Sequence, residues 1–145
     1  MPLHLLKMAV GAHGFEDLAR RQAGRLADLR AAGEAAVLRH LTRNMPRRAH
    51  EVLDGGSIYW AMAGAIRARQ RIAGLEPTVG RSGRPRCAII LDPTVVPTEP
   101  APQRAFQGWR YLRDEDAPAD RAGSAGGLDA LPRAMLAELR RLGLV

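Results

Sequence analysis

Residues 44–75, NMPRRAHEVLDGGSIYWAMAGAIRARQRIAGL, decide how this chain folds. Within them Ile66, Ala68, Gln70 and Ile72 alternate with Arg67, Arg69 and Arg71, the period of a half-buried strand that turns three guanidinium groups outward. Just upstream, Ser57–Ala63 alternates as well, with Ile58, Trp60 and Met62 on one face and Ser57, Tyr59 and Ala61 on the other. Asp54-Gly55-Gly56 supplies a turn before this strand, and Gly64 permits a bend after it, as glycine does at barrel corners. Pro46 opens a short helix or turn that closes at the Gly-Gly pair.

Working outward, Leu3–Val10 reads as a first strand that ends in the turn Gly11–Gly14. Phe15, Leu18, Gln22, Leu26 and Leu29 then follow helical spacing, which predicts a helix ending near Gly33. Ala36–Thr42 is a second short strand. A Gly, Pro and Arg loop over Glu76–Pro85 leads to Arg86–Leu91, whose apolar run suits a strand covered on both faces. The four prolines of Pro93–Pro102 allow at most an irregular edge strand around Val95 and Val96. Ala105–Leu112 is a closing strand or an extended segment, 114–127 a flexible connector, and the stripe Leu128, Leu131, Met135, Leu139 and Leu142 predicts a C-terminal helix over 128–143. This order favours a single α+β domain over 1–145, its mostly antiparallel sheet curled into a small barrel.

Composition narrows the function classes. A length of 145 residues suffices for one core, and 26% charged residues against 46% hydrophobic argues against wholesale disorder. The net charge of +7 is carried almost wholly by arginine, Lys7 being the one lysine, which suits phosphate or carboxylate partners but equally fits a GC-rich genome. Single Cys87 excludes an intramolecular disulfide and a cysteine-based zinc site. No His, Cys and carboxylate set has metal-ligand spacing, so no metal or cofactor is expected. His4 and Lys7 interrupt the N-terminal apolar residues, and no stretch approaches a membrane span, which predicts a soluble cytoplasmic protein.

MPLHLLKMAVG at the start, HLTRNMPRRAHEVLDGGSIYW, the IRARQRI run, CAIILDP and RAFQGWRYL together resemble an uncharacterised bacterial family, the domain-of-unknown-function family numbered 1489. That resemblance covers nearly the whole chain and implies no activity. The layout of a strand ending in Thr-Arg, a basic turn with proline, a Gly-Gly turn and a long bent strand also resembles the PUA-like barrels with their ASCH and EVE relatives. This second resemblance, at fold level, implies a pseudo-barrel that handles RNA or modified bases in a cleft beside the helix.

The leading candidate surface joins Arg43, Arg47 and Arg48 to Arg67, Arg69 and Arg71, with Tyr59, Trp109, Arg110 and Tyr111 near them. Positive donors along a track match a phosphate backbone, and flat rings match unstacked bases; a solvated strand face with Trp109 in the core is the plain alternative. Gly55, Gly56 and Ser57 could form an anion nest or simply a tight turn. His40, His50, Glu51, Asp54 and Asp92 are the acid-base candidates, and a metal-independent nuclease or hydrolase would work through Thr42, Arg43, His40 and Asp92, the arginine stabilising a phosphorane while the histidine moves protons. A third class is a protein-interaction module or homo-oligomer using the Phe106–Tyr111 strip and the C-terminal helix. RNA or phosphate-rich ligand binding without catalysis is the leading expectation.

Overall fold

The computed structural model describes residues 2–121. The expected 128–143 helix, and the connector beyond Arg121, lie outside those residues. Helix α1 (Phe15–Ala31) buries Leu18, Gln22 and Leu26, carries Glu16 and Asp17 in its first turn and Arg30 in its last, and so matches its own dipole. It stops where Gly33, at φ 74°, lets the N–H of Gly33 reach Arg30 O and that of Glu34 reach Leu29 O.

The strands are β1 (Leu3–Met8), β2 (Leu38–Thr42), β3 (Ser57–Met62), β4 (Ala65–Val79), β5 (Pro85–Pro102) and β6 (Trp109–Arg113), with a short helix α2 (Ala49–Leu53) before β3. They form one six-stranded sheet in the order β2-β5-β4-β3-β1-β6. β1 runs parallel to β3, and every other pairing is antiparallel. The parallel pair arises because the chain leaves β1 through α1, makes the far edge strand β2, and returns through α2.

The expected closed barrel is corrected to an open, strongly curled sheet. Its opposite margins face each other: Trp109 Nε1 donates to Asn44 O at 2.8 Å and the Arg48 N–H donates to Tyr111 Oη at 3.1 Å. Among the described residues no ladder joins β2 to β6, so side chains rather than backbone pairing close the seam. Gly64 (φ 80°) and Ala63 (φ 50°) make a two-residue hairpin turn between β3 and β4 rather than a barrel corner.

The expected Glu76–Pro85 loop shrinks to its last part, because β4 continues to Val79 and turns at Gly80–Arg84, where the Gly80 N–H bonds Arg84 O. Pro93–Pro102 is the second half of one long strand, paired to β4 through Val95, Val96 and Pro97. Its prolines are tolerated because β2 reaches only as far as Leu91, which leaves the other edge of β5 largely without a ladder to break. Register shifts opposite Ile72 and Gly74 bend this hairpin across the sheet.

Alternation builds two cores. On the α1 side Leu3, Leu5, Ile58, Trp60, Met62, Ala68, Ile72, Ile89 and Leu91 pack with Leu18, Leu26 and Val52. On the other side Leu6, Tyr59, Ala61 and Ile66 pack with Phe106, Leu112 and Ala117. Irregular pairing at both Trp60/Ala61 and Ile66/Ala68 moves Ile66 to this second face, away from the Ala68, Gln70 and Ile72 row it was expected to share. Residues 114–121 cross the second face as a strap that ends in a bridge between Asp120 and Thr98. Among the described residues no helix is long and apolar enough to cross a membrane.

Candidate functional site

The arginine row of β4 lies on the strap side, and two of its three members are engaged there. Arg67 donates to the carbonyls of Met62 and Ala63, both at 2.9 Å, and so pins the hairpin turn. Arg69 grips Asp120 with two bonds of 2.6 and 2.7 Å and reaches Ser57 Oγ at 3.3 Å; the Asp120 carboxylate raises its already high pKa further. Arg71 remains exposed. Tyr59, expected to stack a base, is 5% exposed within the second core, and burial pushes its phenol pKa up. Its ring has no free face to offer.

At Gly55-Gly56-Ser57 the open alternatives are an anion nest and a tight turn. Gly55 does adopt φ 90°, but the Gly56 N–H donates to Val52 O at 2.8 Å and the Ser57 N–H to His4 Nδ1 at 2.9 Å. These donors serve the fold, so the turn is no open anion cradle. His4, which sequence reasoning passed over as a strand residue, accepts through Nδ1 and therefore presents its Nε2 proton to Asp114 Oδ1 at 2.8 Å. The only signal in the sequence was a histidine among leucines, and its partner is 110 residues away.

Around β6, Arg48 forks onto Glu51, with Nη2 to Oε1 at 2.8 Å, and lies 5.7 Å from the Tyr111 ring centre. Glu51 raises the Arg48 pKa, while Arg48 holds the Glu51 carboxyl low. Arg110 sits 4.3 Å from the Phe106 ring centre, and Trp109 meets Tyr111 edge to face at 4.9 Å. Arg47 is exposed.

The seam between the sheet margins assembles a different cationic surface. An inner cavity of about 330 Å³ lies under α1 and is lined by Lys7, Arg25, Arg39, His40, Trp60 and Leu91 among others. An outer cavity of about 490 Å³ adjoins it at Lys7 and takes in Thr42, Arg43, Asn44, Gln107 and Trp109. Among the described residues no carboxylate lines either one. Lys7 is the hinge of this arrangement: β1 alternation places it on the Leu3 and Leu5 side, and burial lowers its pKa. His40 is held at about 4, first by burial and then by the charges of Lys7 and Arg25, so its imidazole is neutral at pH 7. Its ring meets Trp60 at 5.1 Å and 84°, and its Nε2 is buried with no hydrogen-bond partner among the described residues.

Thus Arg43 and Trp109 come together in the cleft, joined by Lys7, Arg25 and Arg39, which the sequence did not single out. The acid-base candidates do not converge. Glu51 is committed to Arg48, and Asp92 accepts the Thr94 N–H at 2.9 Å where β5 bends. Neither they, nor His50 or Asp54, line the cavity that holds His40. Among the described residues no cluster of metal-binding side chains occurs.

No curated protein and no solved structure matches the chain. The family model described as "Protein of unknown function (DUF1489)" matches residues 5–145, the span that holds all six strands, the strap and both cavities apart from Leu3 and His4 at the start of β1. The chain belongs to that family.

Proposed function

We propose that the protein binds RNA or another phosphate-rich ligand in the cleft at the curled seam of its sheet. The observation that supports this reading is the adjoining pair of cavities lined by Lys7, Arg25, Arg39 and Arg43 and by no described carboxylate. Of these cations Arg25, Arg39 and Arg43 are exposed and Lys7 is half-buried, and a positive group without an internal counter-charge attracts anions more strongly when it is partly dehydrated, as Lys7 is. Trp109 adds a flat apolar edge to the outer cavity, suited to a sugar or base once a phosphate is held. Arg67 and Arg69 serve the fold, and Arg71 and Arg110 lie on the strap face, away from the cleft.

The test is binding of a fluorescently labelled single-stranded RNA across a salt series. Lys7→Met with Arg43→Ala, which keeps the apolar stem at residue 7, should weaken binding at every sequence and flatten the salt slope by about one unit per lost phosphate contact. Arg67→Ala should leave affinity unchanged. Unaltered affinity and slope in the first double variant would remove the cleft from the interface.

A further inference from the structure

The inner cavity differs from the outer one in shape and charge. It is roofed by Leu18, Gln22 and Arg25 of α1, floored by Trp60 and Leu91, walled by the end of β1 and by β2, and adjoins the outer cavity at Lys7. Its volume of about 330 Å³ is at the small end for a ligand site. That suits a single nucleotide and not a strand running through. Its charge is also unbalanced: Lys7 and Arg25 both act on His40 strongly enough to oppose its protonation. Arg21 is turned toward Gly11 O and Asp17, and the wall offers no described carboxylate to offset Lys7 and Arg25. An internal phosphodiester brings one negative charge, whereas a phosphate monoester brings about 1.5 to 2 at pH 7 and three acceptor oxygens.

We propose that the inner chamber seats a phosphate monoester together with its one nucleotide, so that the protein takes a phosphorylated strand end or a free mononucleotide rather than an internal stretch of strand. This rests on the phosphate-ligand reading above and narrows it. Lys7 and Arg25 hold the phosphate, the apolar floor at Trp60 and Leu91 faces the base, and Arg39 lies at the β2 rim. The groups facing His40 are then Lys7 from β1, Arg25 and Arg21 from α1, Arg39 beside it on β2, and the bound phosphate. A dianion beside Lys7 and Arg25 cancels their repulsion, so occupancy should raise the His40 pKa from its resting value of about 4.

The experiment uses the full chain with four probes: adenosine, adenosine monophosphate, and one short RNA sequence carrying either phosphates or hydroxyls at both ends. Tryptophan emission reports binding, since Trp60 and Trp109 are the two tryptophans and each lines one cavity. Imidazole NMR reports His40. The expected result is at least about a tenfold preference for the phosphorylated member of each pair, reflecting the extra charge-assisted hydrogen bonds. It should be accompanied by an upward move of the His40 titration and should be lost in Lys7→Met. Preference in the mononucleotide pair alone would support the chamber and identify its ligand as the free nucleotide. Equal binding of the two RNAs, with no preference in the adenosine pair, would overturn the inference and leave the cleft reading standing. Failure of all four probes to bind would overturn both. The wild-type comparison decides the matter even if the lysine variant does not fold.

Discussion

Gln70 gives the sharpest test of the packing argument, because this amide is 0% exposed and makes four bonds inside the core. Its Oε1 accepts from Gln22 Nε2 at 2.9 Å and Trp60 Nε1 at 3.2 Å, and its Nε2 donates to Gln22 Oε1 at 2.6 Å and Asp92 O at 2.7 Å. Replacing Gln70 with Leu keeps the volume and strands polar atoms on Gln22, Trp60 and Asp92. Each buried orphan costs about 1 to 3 kcal/mol, so the variant should lose about 4 to 6 kcal/mol after some relaxation of Gln22. Gln22→Leu is milder, because Gln70 retains Trp60 and Asp92 as partners; about 1 to 2 kcal/mol is expected. In the double variant Gln22 is no longer stranded, and the loss should fall short of the two single losses added together by about 1 to 3 kcal/mol. Urea unfolding followed by circular dichroism measures all three. Strict additivity, or a Gln22→Leu loss equal to that of Gln70→Leu, would refute the view that a satisfied amide pair anchors α1 to the sheet.

Gly56 lies where an added Cβ would overlap the carbonyl oxygens of Leu3 and Val52, both backbone, so Gly56→Ala should lose about 4 kcal/mol or more. Gly55→Ala meets only the Pro2 side chain at an ordinary contact distance of 3.9 Å, plus backbone strain at φ 90°, about 1 to 2 kcal/mol; thermal melts ranking Gly55→Ala as the worse variant would contradict the close approach. Asp120→Asn removes the charge that Arg69 grips, at about 1 kcal/mol or less because both side chains are partly exposed, and should quicken proteolysis within 114–121; an unchanged cleavage rate would detach the strap from this ion pair. His40, depressed from 6.5 to about 4, contributes stability that is fully present above pH 6.5 and is lost as pH falls through 4. At 1.36 kcal/mol per unit the loss is at most about 3 kcal/mol, less for the residual exposure of the ring. His40→Phe should therefore shrink the stability difference between pH 7 and pH 4, and urea melts showing the wild-type difference intact would count against it.

The parts legible in the sequence were those fixed by local pattern. Ile58, Trp60 and Met62 share a face as their alternation requires, and the Phe15, Leu18, Gln22 and Leu26 spacing does form α1. What the pattern could not show is which distant segment covers a face. The outward period of Arg67 and Arg69 was real, but Asp120, 51 residues beyond Arg69, lies over it, and a carboxylate arriving from a strap has no local signature. The proline-rich half of β5 looked like an edge because proline removes donors; that its other side is paired to β4 depends on a bend set by register shifts near Ile72. Lys7, read only as an interruption of an apolar run, matters because sheet curl brings β1 beside β2, four places away in strand order. Charge clefts made by curling combine residues from elements that never meet in sequence.

The placement of β1 between β3 and β6 has a consequence for how the molecule is made. Leu3 pairs with Arg113, a separation of 110 residues, while the β4 and β5 hairpin closes across a five-residue turn. During synthesis at about 5 to 20 residues per second, β1 waits about 5 to 20 s for its antiparallel neighbour after it emerges. Throughout that interval Leu3, Leu5 and Leu6 have at best β3 on one side, and the other edge of an apolar strand stands open to chance pairing. The hairpin is the natural early nucleus and the two margins of the sheet are the last to settle, so the cationic seam comes into being only at the final step of folding.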